Sequence, residues 1–415
     1  MALTNELPPL LLGPDRNDLV VAVREGKIAF CGRGTLPGLL VEGAEQIPLD
    51  RFRLETGDVN AHTHLYSGLA PLGMPAPTKP PNNFVEILER VWWRLDRALD
   101  RETLRASARL AVAEALLAGT TTLVDHHESP NLIEGSLDLL AEACEELGIR
   151  ALLAYGATER NGGREEARRG LAECRRFARE NRSPRLRALV GLHASFTVSD
   201  ETIAEAGELA RESNVPIHVH VAEDLADVED AKRRGDIGPL ERLFRLQALP
   251  SRSVLAHGVH LSADQVAWGS DAGAWFVQNP RSNRGNRVGW PKGLLVSTRV
   301  ALGTDGYPAD MAEEKRALLA EGAERGEDPA ILERRAEGSR ALAAEQFGVS
   351  LELAPGSEAD LVARDDAGRA RLVIVAGRIV VREGELVGAD IEEIREDARR
   401  QAPRLWERML GYPES

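Results

Sequence analysis

Nine histidines in 415 residues fall into five short stretches, and each stretch follows a short apolar run. They stand at 62 and 64, 126 and 127, 193, 218 and 220, and 257 and 260. Histidines without a shared role would be scattered. A residue that closes an apolar run sits at the C-terminal end of a β-strand, and that rim is where a β/α barrel gathers its chemistry. The first pair constrains the fold most. Residues 57–68 read Gly-Asp-Val-Asn-Ala-His-Thr-His-Leu-Tyr-Ser-Gly. Side chains at i and i+2 of a strand point to one face, so His62 and His64 can reach one metal ion. Alone, such a pair can also be two surface or core histidines. The other four stretches favour the metal.

The rest of the chain supplies the barrel. Apolar runs at 57–62, 120–124, 150–155, 187–192, 215–221, 253–256, 274–277 and 299–303 read as strands. Amphipathic stretches at 102–118, 134–147, 164–180, 201–213, 237–247 and 262–269 lie between most of them. Eight alternations over about 270 residues predict a (β/α)8 barrel, typically ~250 residues long. A doubly wound open sheet would carry a Gly-rich phosphate turn after its first strand, and the paired histidines stand there instead. Short strands at Leu19–Val23, Lys27–Cys31 and Leu39–Val41 precede the barrel. The pattern returns at Ala359–Ala363, Arg371–Val375 and Arg378–Val381. Neither piece can bury a core alone, which predicts one small β-sandwich built from both terminal segments. The expected fold class is therefore α/β, a (β/α)8 TIM-like barrel plus that sandwich. The expected division is 1–56 with 348–388 as sandwich, 57–347 as catalytic barrel, and 389–415 as a terminal helix. Further helices are expected near 309–324, 328–347 and 389–410.

Composition narrows the function. A net charge of −14 repels polyanions, so neither nucleic acid nor an acidic membrane is an expected partner. No apolar stretch is long enough to span a bilayer, and Met-Ala-Leu-Thr-Asn-Glu lacks the basic start of a signal peptide. Cys31, Cys144 and Cys174 are odd in number and far apart, as in reduced thiols of a cytoplasmic protein.

Several residues carry candidate chemistry. His218 and His220 share a strand face, and Glu223 follows three residues on. A ligand beside a carboxylate is what metal-assisted hydrolysis needs, one holding the ion and the other moving a proton. On spacing alone Glu223 is either that shuttle or a solvated loop carboxylate, and His218 reads as packed in the barrel interior. Asp305 directly follows the eighth apolar run, as a ligand or as a helix N-cap. No lysine stands at the third or fourth strand end, so one ion is expected rather than a lysine-bridged pair. The proline-rich loop after the first strand has the length of a lid. Trp92 and Trp93 beyond it are helix packing or pocket wall. Asp125-His126-His127-Glu128 contacts substrate or forms a hydrogen-bonded rim, and Arg160 and Arg164 meet a substrate anion or lie on the surface.

Together these segments resemble the amidohydrolase superfamily, mononuclear aminohydrolase type. The matching elements are His62-x-His64, Gly119-Thr-Thr-Thr, His193, His220-x-x-Glu223, His257, Asn279-Pro-x-Ser-Asn283, Thr304-Asp305-Gly306 and Ala354-Pro-Gly-Ser-Glu-Ala-Asp-Leu-Val362. They span nearly the whole chain. Asn83-Phe-Val-Glu-Ile-Leu, Trp92-Trp-Arg-Leu-Asp, Asp125-His-His, Leu192-His-Ala-Ser-Phe-Thr and Asp305-Gly-Tyr-Pro-Ala-Asp-Met are most similar to SsnA-type aminohydrolases.

The resemblance implies one divalent metal, zinc or alternatively iron, on His62, His64, His220 and Asp305. It implies Asp305, His257 and Glu223 as catalytic groups. Asp305 takes the water's proton, His257 orients that water, and Glu223 protonates a ring nitrogen. It places His193 and Glu223 against a small heterocyclic substrate, where His127 and Trp93 are also expected from their places at the second strand's exit and in the helix after the proline-rich loop, and it implies a homodimer. The implied reaction is hydrolytic deamination of a purine, pyrimidine or related ring. Hydrolysis of a cyclic amide or a ring carbon–halogen bond is the alternative at the same site. A non-catalytic scaffold would have lost ligands, and every one is present. The small cytidine type is disfavoured because PCxxC is missing. Two positions depart from relatives. Leu95 stands where deaminases of adenosine-type substrates tend to carry an acid, with Asp96 adjacent, and Gln278 stands where histidine often precedes Asn-Pro.

Overall fold

The computed structural model describes residues 7–34 and 42–414. The strand expected at 39–41 and the leader-free start read from residues 1–6 fall outside them.

Eight parallel strands form in sequence order. They are Asp58–Thr63, Thr120–His127, Arg150–Ala157, Val190–Ala194, Ile217–Val221, Val254–His257, Trp275–Gln278 and Val300–Leu302. The last closes on the first through a bridge between Thr63 and Asp305, with Thr304 N and Asp305 N donating to His62 O at 3.0 and 2.9 Å. The second and third strands are buried at every residue, because side chains fill the barrel on one face and pack under helices on the other. Ala61, Val124, Leu152, Ala154, Val254, Val277 and Ala301 share one apolar cluster. This is the expected (β/α)8 barrel.

The helices follow local chemistry. Arg101–Ala118 starts on an Asp100–Thr103 capping box and stops at Gly119, whose φ of 97° suits a residue without Cβ. One barrel helix, Leu225–Arg233, has no counterpart in the sequence reading. It buries only Asp227, Asp230 and Ala231, so it carries no apolar stripe to read. Among the described residues no helix is long and apolar enough to cross a membrane.

The terminal segments build two facing sheets. One runs Lys27–Arg33, Leu19–Arg24, Leu10–Asp15, Glu45–Leu49. The other runs Glu385–Leu386, Arg378–Arg382, Ala370–Val375, Leu361–Arg364, Arg53–Thr56. Leu10, Leu12, Val21 and Ile28 of the first pack with Leu54, Leu361, Leu372 and Ile374 of the second, which is the small sandwich expected. The strands at 10–15, 45–49 and 53–56 were not evident in the sequence. The strand at 53–56 runs into the barrel through Gly57, where a Cβ would lie 2.2 Å from the Thr121 side chain.

Ion pairs tie sandwich to barrel. Arg150 meets Asp360 through two bonds of 2.9 and 3.1 Å. Arg364 pairs with Asp58 at 2.5 Å. Removing Asp360 takes two of the three carboxylate bonds from buried Arg150 and leaves it Glu358 alone, at 3.2 Å. Asp360→Ala is therefore expected to lower the unfolding free energy by about 3 kcal/mol in a urea titration.

Candidate active site

Five side chains converge at the C-terminal rim. Asp305 Oδ1 lies 3.2 Å from His62 Nε2 and 2.8 Å from His64 Nε2. The His62 ring centroid is 5.0 Å from that of His64, 4.9 Å from His220 and 5.7 Å from His257. One donor atom each from His62, His220, His257 and Asp305 lies within 4.8 Å of all the others. His257 and Asp305 sit at φ of 72° and 54°, a left-handed conformation uncommon for such residues and concentrated at functional sites. The eighth strand comes this close to the first because Gly303 lacks a Cβ, which would meet His62 N at 2.7 Å.

The second nitrogen of each ring is anchored. His64 Nδ1 faces His126 O at 2.5 Å, and His220 Nδ1 faces His193 O at 2.6 Å. Both carbonyls can only accept, so both rings are protonated at Nδ1 and present Nε2 inward. His62 Nδ1 lies 3.0 Å from His218 Nε2, and His257 Nδ1 lies 2.8 Å from Asn283 Oδ1. Nε2 of His62 and of His257 are buried and make no well-formed hydrogen bond among the described residues. Inward Nε2 lone pairs on rings oriented by their other nitrogen, together with a carboxylate, are the donor set of a zinc-type cation. The residues present therefore fit the group.

Electrostatics separate the two carboxylates. Burial pushes Asp305 up, but the His62 and His64 rings, at 3.2 and 2.8 Å, outweigh it and hold the group well below the usual carboxylate range. Burial and the neighbouring Asp305 charge push Glu223 well above it. Burial lowers His62 to about 3 and also lowers His220 and His257. His64 alone is raised, to about 10, because Asp305 and Glu128 outweigh its burial, and a cation bound at Nε2 would displace that proton. Two carboxyl groups driven apart in acidity divide into a base and an acid.

The helix Pro280–Gly285 holds this arrangement, and the sequence reading gave its residues no role. Ser282 Oγ donates to Asp305 Oδ2. Asn286 Nδ2 donates to Glu223 Oε1 at 3.3 Å, and Glu223 Oε2 lies 3.5 Å from His257 Nε2. The Asn-Pro-x-Ser-Asn run was the visible signal.

A cavity opens over these groups. Its wall includes Trp93, Asp96, Glu128, His193, Phe196 and Glu223. Three of the four residues expected against substrate, His193, Glu223 and Trp93, therefore line it. His127 does not. It follows His126 on a strand and points to the opposite face, where it is buried between Tyr66 and Tyr155 and bonded to Ser129. His126 turns inward, between Glu128 Oε1 at 2.6 Å and Leu192 O at 3.0 Å. His218 packs inside the barrel, as read. Leu95 is core, and Asp96 supplies the acid that faces the cavity. Asp96 Oδ2 accepts from Arg160 Nη2 at 2.6 Å, while buried Oδ1 has no partner among the described residues. Arg164 pairs with Glu205 at 2.5 Å instead, and Gln278 accepts from Arg335 at 2.7 Å.

Residues 55–380 match the model of the Amidohydrolase family. The chain is 31% identical to a 5-methylthioadenosine/S-adenosylhomocysteine deaminase of Desulforudis audaxviator, over 93% of this chain and 95% of that one. It is 30% identical to an 8-oxoguanine deaminase of Pseudomonas aeruginosa, over 83% and 84%. An adenosine deaminase from Xanthomonas campestris, solved with bound zinc, superposes with a TM-score of 0.81 at 22% identity, over 96% of this chain and 99% of that one. That last likeness concerns the fold. For the metal centre the expected result is direct: His62→Ala or His220→Ala lowers bound divalent metal from about one per chain to near zero by elemental analysis.

Proposed function

The chain belongs to the amidohydrolase family, and on that premise we propose that it is a metal-dependent hydrolytic deaminase of a heterocyclic amidine, purine-like in type, that releases ammonia. The observation that carries this reading is the placement of two carboxyl groups about the imidazoles: Asp305 lies against His62 and His64, and Glu223 lies 3.5 Å from His257 at the cavity wall, where burial and the Asp305 charge push it toward its protonated form. Two relatives at 30% and 31% identity bear the names of purine deaminases.

His62, His64, His220 and Asp305 would hold the cation, zinc or iron. Bound there, it supplies a water whose pKa falls from 15.7 to roughly 7. Asp305, kept ionised, accepts a proton from that water. His257, its Nδ1 held by Asn283 Oδ1, presents Nε2 toward the same point and orients that water. Glu223 carries its proton to a ring nitrogen, which makes the adjacent carbon electrophilic; once the C–O bond has formed there, the proton held by Asp305 passes to the amino group, the C–N bond breaks and ammonia leaves, and the hydroxyl proton returns to Glu223 as the carbonyl forms. Trp93, Phe196 and His193 present flat or apolar surfaces to a planar ring. Asp96 Oδ1 is placed to accept from a substrate N–H or O–H.

Ammonia release from a panel of purines, pyrimidines and azines, run on metal-verified protein, tests the reading. Glu223→Gln should retain its metal and lose about 10³-fold in kcat. Full turnover by that variant, or a ring-opened acid or free halide as product, would sink it. Asp96 adds a pH signature. Burial, against the pull of Arg160, raises its carboxyl to about 6. Above that pH it is the ionised acceptor. As pH falls through about 6 it gains a proton, so KM should rise there, and Asp96→Asn should flatten that limb.

A further inference from the structure

The helix Trp93–Ala98 has two working faces. Trp93 and Asp96, three apart, line the cavity. Arg94 and Arg97, also three apart, face the segment that follows the last helix, Ile391–Leu410. Leu95 between them is fully buried. The cavity wall is thus one helix thick, and residues 406–414 hold its outer side.

They hold it at four places. Trp406 Nε1 donates to Leu72 O at 3.1 Å in the proline-rich loop. Arg408 Nε donates to Ala98 O at 2.6 Å. Tyr412 OH donates to Arg97 O at 3.0 Å, and its ring lies under the Arg97 guanidinium, 4.8 Å from the centroid. Glu414 closes the set. One oxygen accepts from Arg94 Nη1 at 2.9 Å, and both accept from Thr78 N, at 2.9 and 3.0 Å. Thr78 Oγ1 adds a bond of 2.6 Å. Arg94 is buried, and Glu414 is its carboxylate partner. Elsewhere in loop 70–83, Asn82 and Asn83 bond to Glu86, and Arg90 donates to Lys79 O and Pro80 O, just after Thr78 in the chain.

We propose that residues 406–414 form a strap that sets the position of the pocket wall, and that Glu414 is a positioning residue for substrate binding, acting through Thr78 and Arg94. It touches neither substrate nor metal ligand. Its carboxylate joins the loop at Thr78 to the helix that carries Trp93 and Asp96, so that both move as one piece. A charge-assisted bond to a guanidinium plus a bond to a backbone N–H is strong enough to hold such a joint. The effect on substrate rests on the reading above; the effect on the wall does not.

Hydrogen–deuterium exchange and steady-state kinetics test this together. In Glu414→Ala, amides across 72–98 should exchange about tenfold faster, while those of the barrel strand Ile217–Val221 stay unchanged. With the ring that the ammonia panel finds turned over fastest, KM should rise about fivefold and kcat stay within about twofold. Glu414→Gln, which keeps one oxygen to accept from Thr78 and loses the charge, should fall between. Unchanged exchange at 72–98 overturns the proposal, as does faster exchange in the barrel strand as well, which would mark general destabilisation. A loosened wall with an unchanged KM overturns the link to binding. If no ring releases ammonia, the exchange result alone decides the strap, so the two proposals fail separately.

Discussion

A carboxylate taken out of water costs several kcal/mol unless charge and hydrogen bonds compensate it. Asp305 is such a group, and the top of the barrel is arranged around it. His62 and His64 reach it from the first strand, Ser282 from the helix after the seventh, and the backbone that carries it bonds to His62 O. The contact that closes the barrel and the contact that assembles the site are therefore one set of residues. Neither can loosen without the other.

Orientation comes from a layer behind the rings. His126 O and His193 O fix His64 and His220, His218 stands behind His62, and Asn283 stands behind His257. Backbone carbonyls cannot rotate and cannot donate, so they leave each of the two rings they hold a single protonation pattern. The cost of burying so many polar rings is offset by these bonds, and the strain at His257 and Asp305 is held in place by the closed barrel around them. Away from the site the sandwich supports the opposite end, where Arg150 and Arg364 cross from one unit to the other.

Much of this was legible in the residues. All eight barrel strands were visible because a strand buried on both faces must be an apolar run, and the histidines stood out because they closed those runs. The helix Leu225–Arg233 was not legible, since its buried face is acidic rather than apolar. The strands at 10–15, 45–49 and 53–56 were missed because short sandwich strands carry few alternating positions. His127 was expected against substrate from its place at a strand exit, and the pleat sends it the other way. The roles of Ser282, Asn283 and Asn286 needed the turn of a short helix to bring them over the rim.

The sequence by itself determined the barrel, the clustering of imidazoles at one rim, and the family. These depend on local periodicity and on residue types at strand ends, which are written along the chain. Only the tertiary structure decided which nitrogen of each ring faces inward, which carboxyl lies against the imidazoles, and that Asp96 rather than Leu95 faces the cavity. Those outcomes depend on burial and on partners tens to hundreds of residues away, and no local pattern encodes the distance between them.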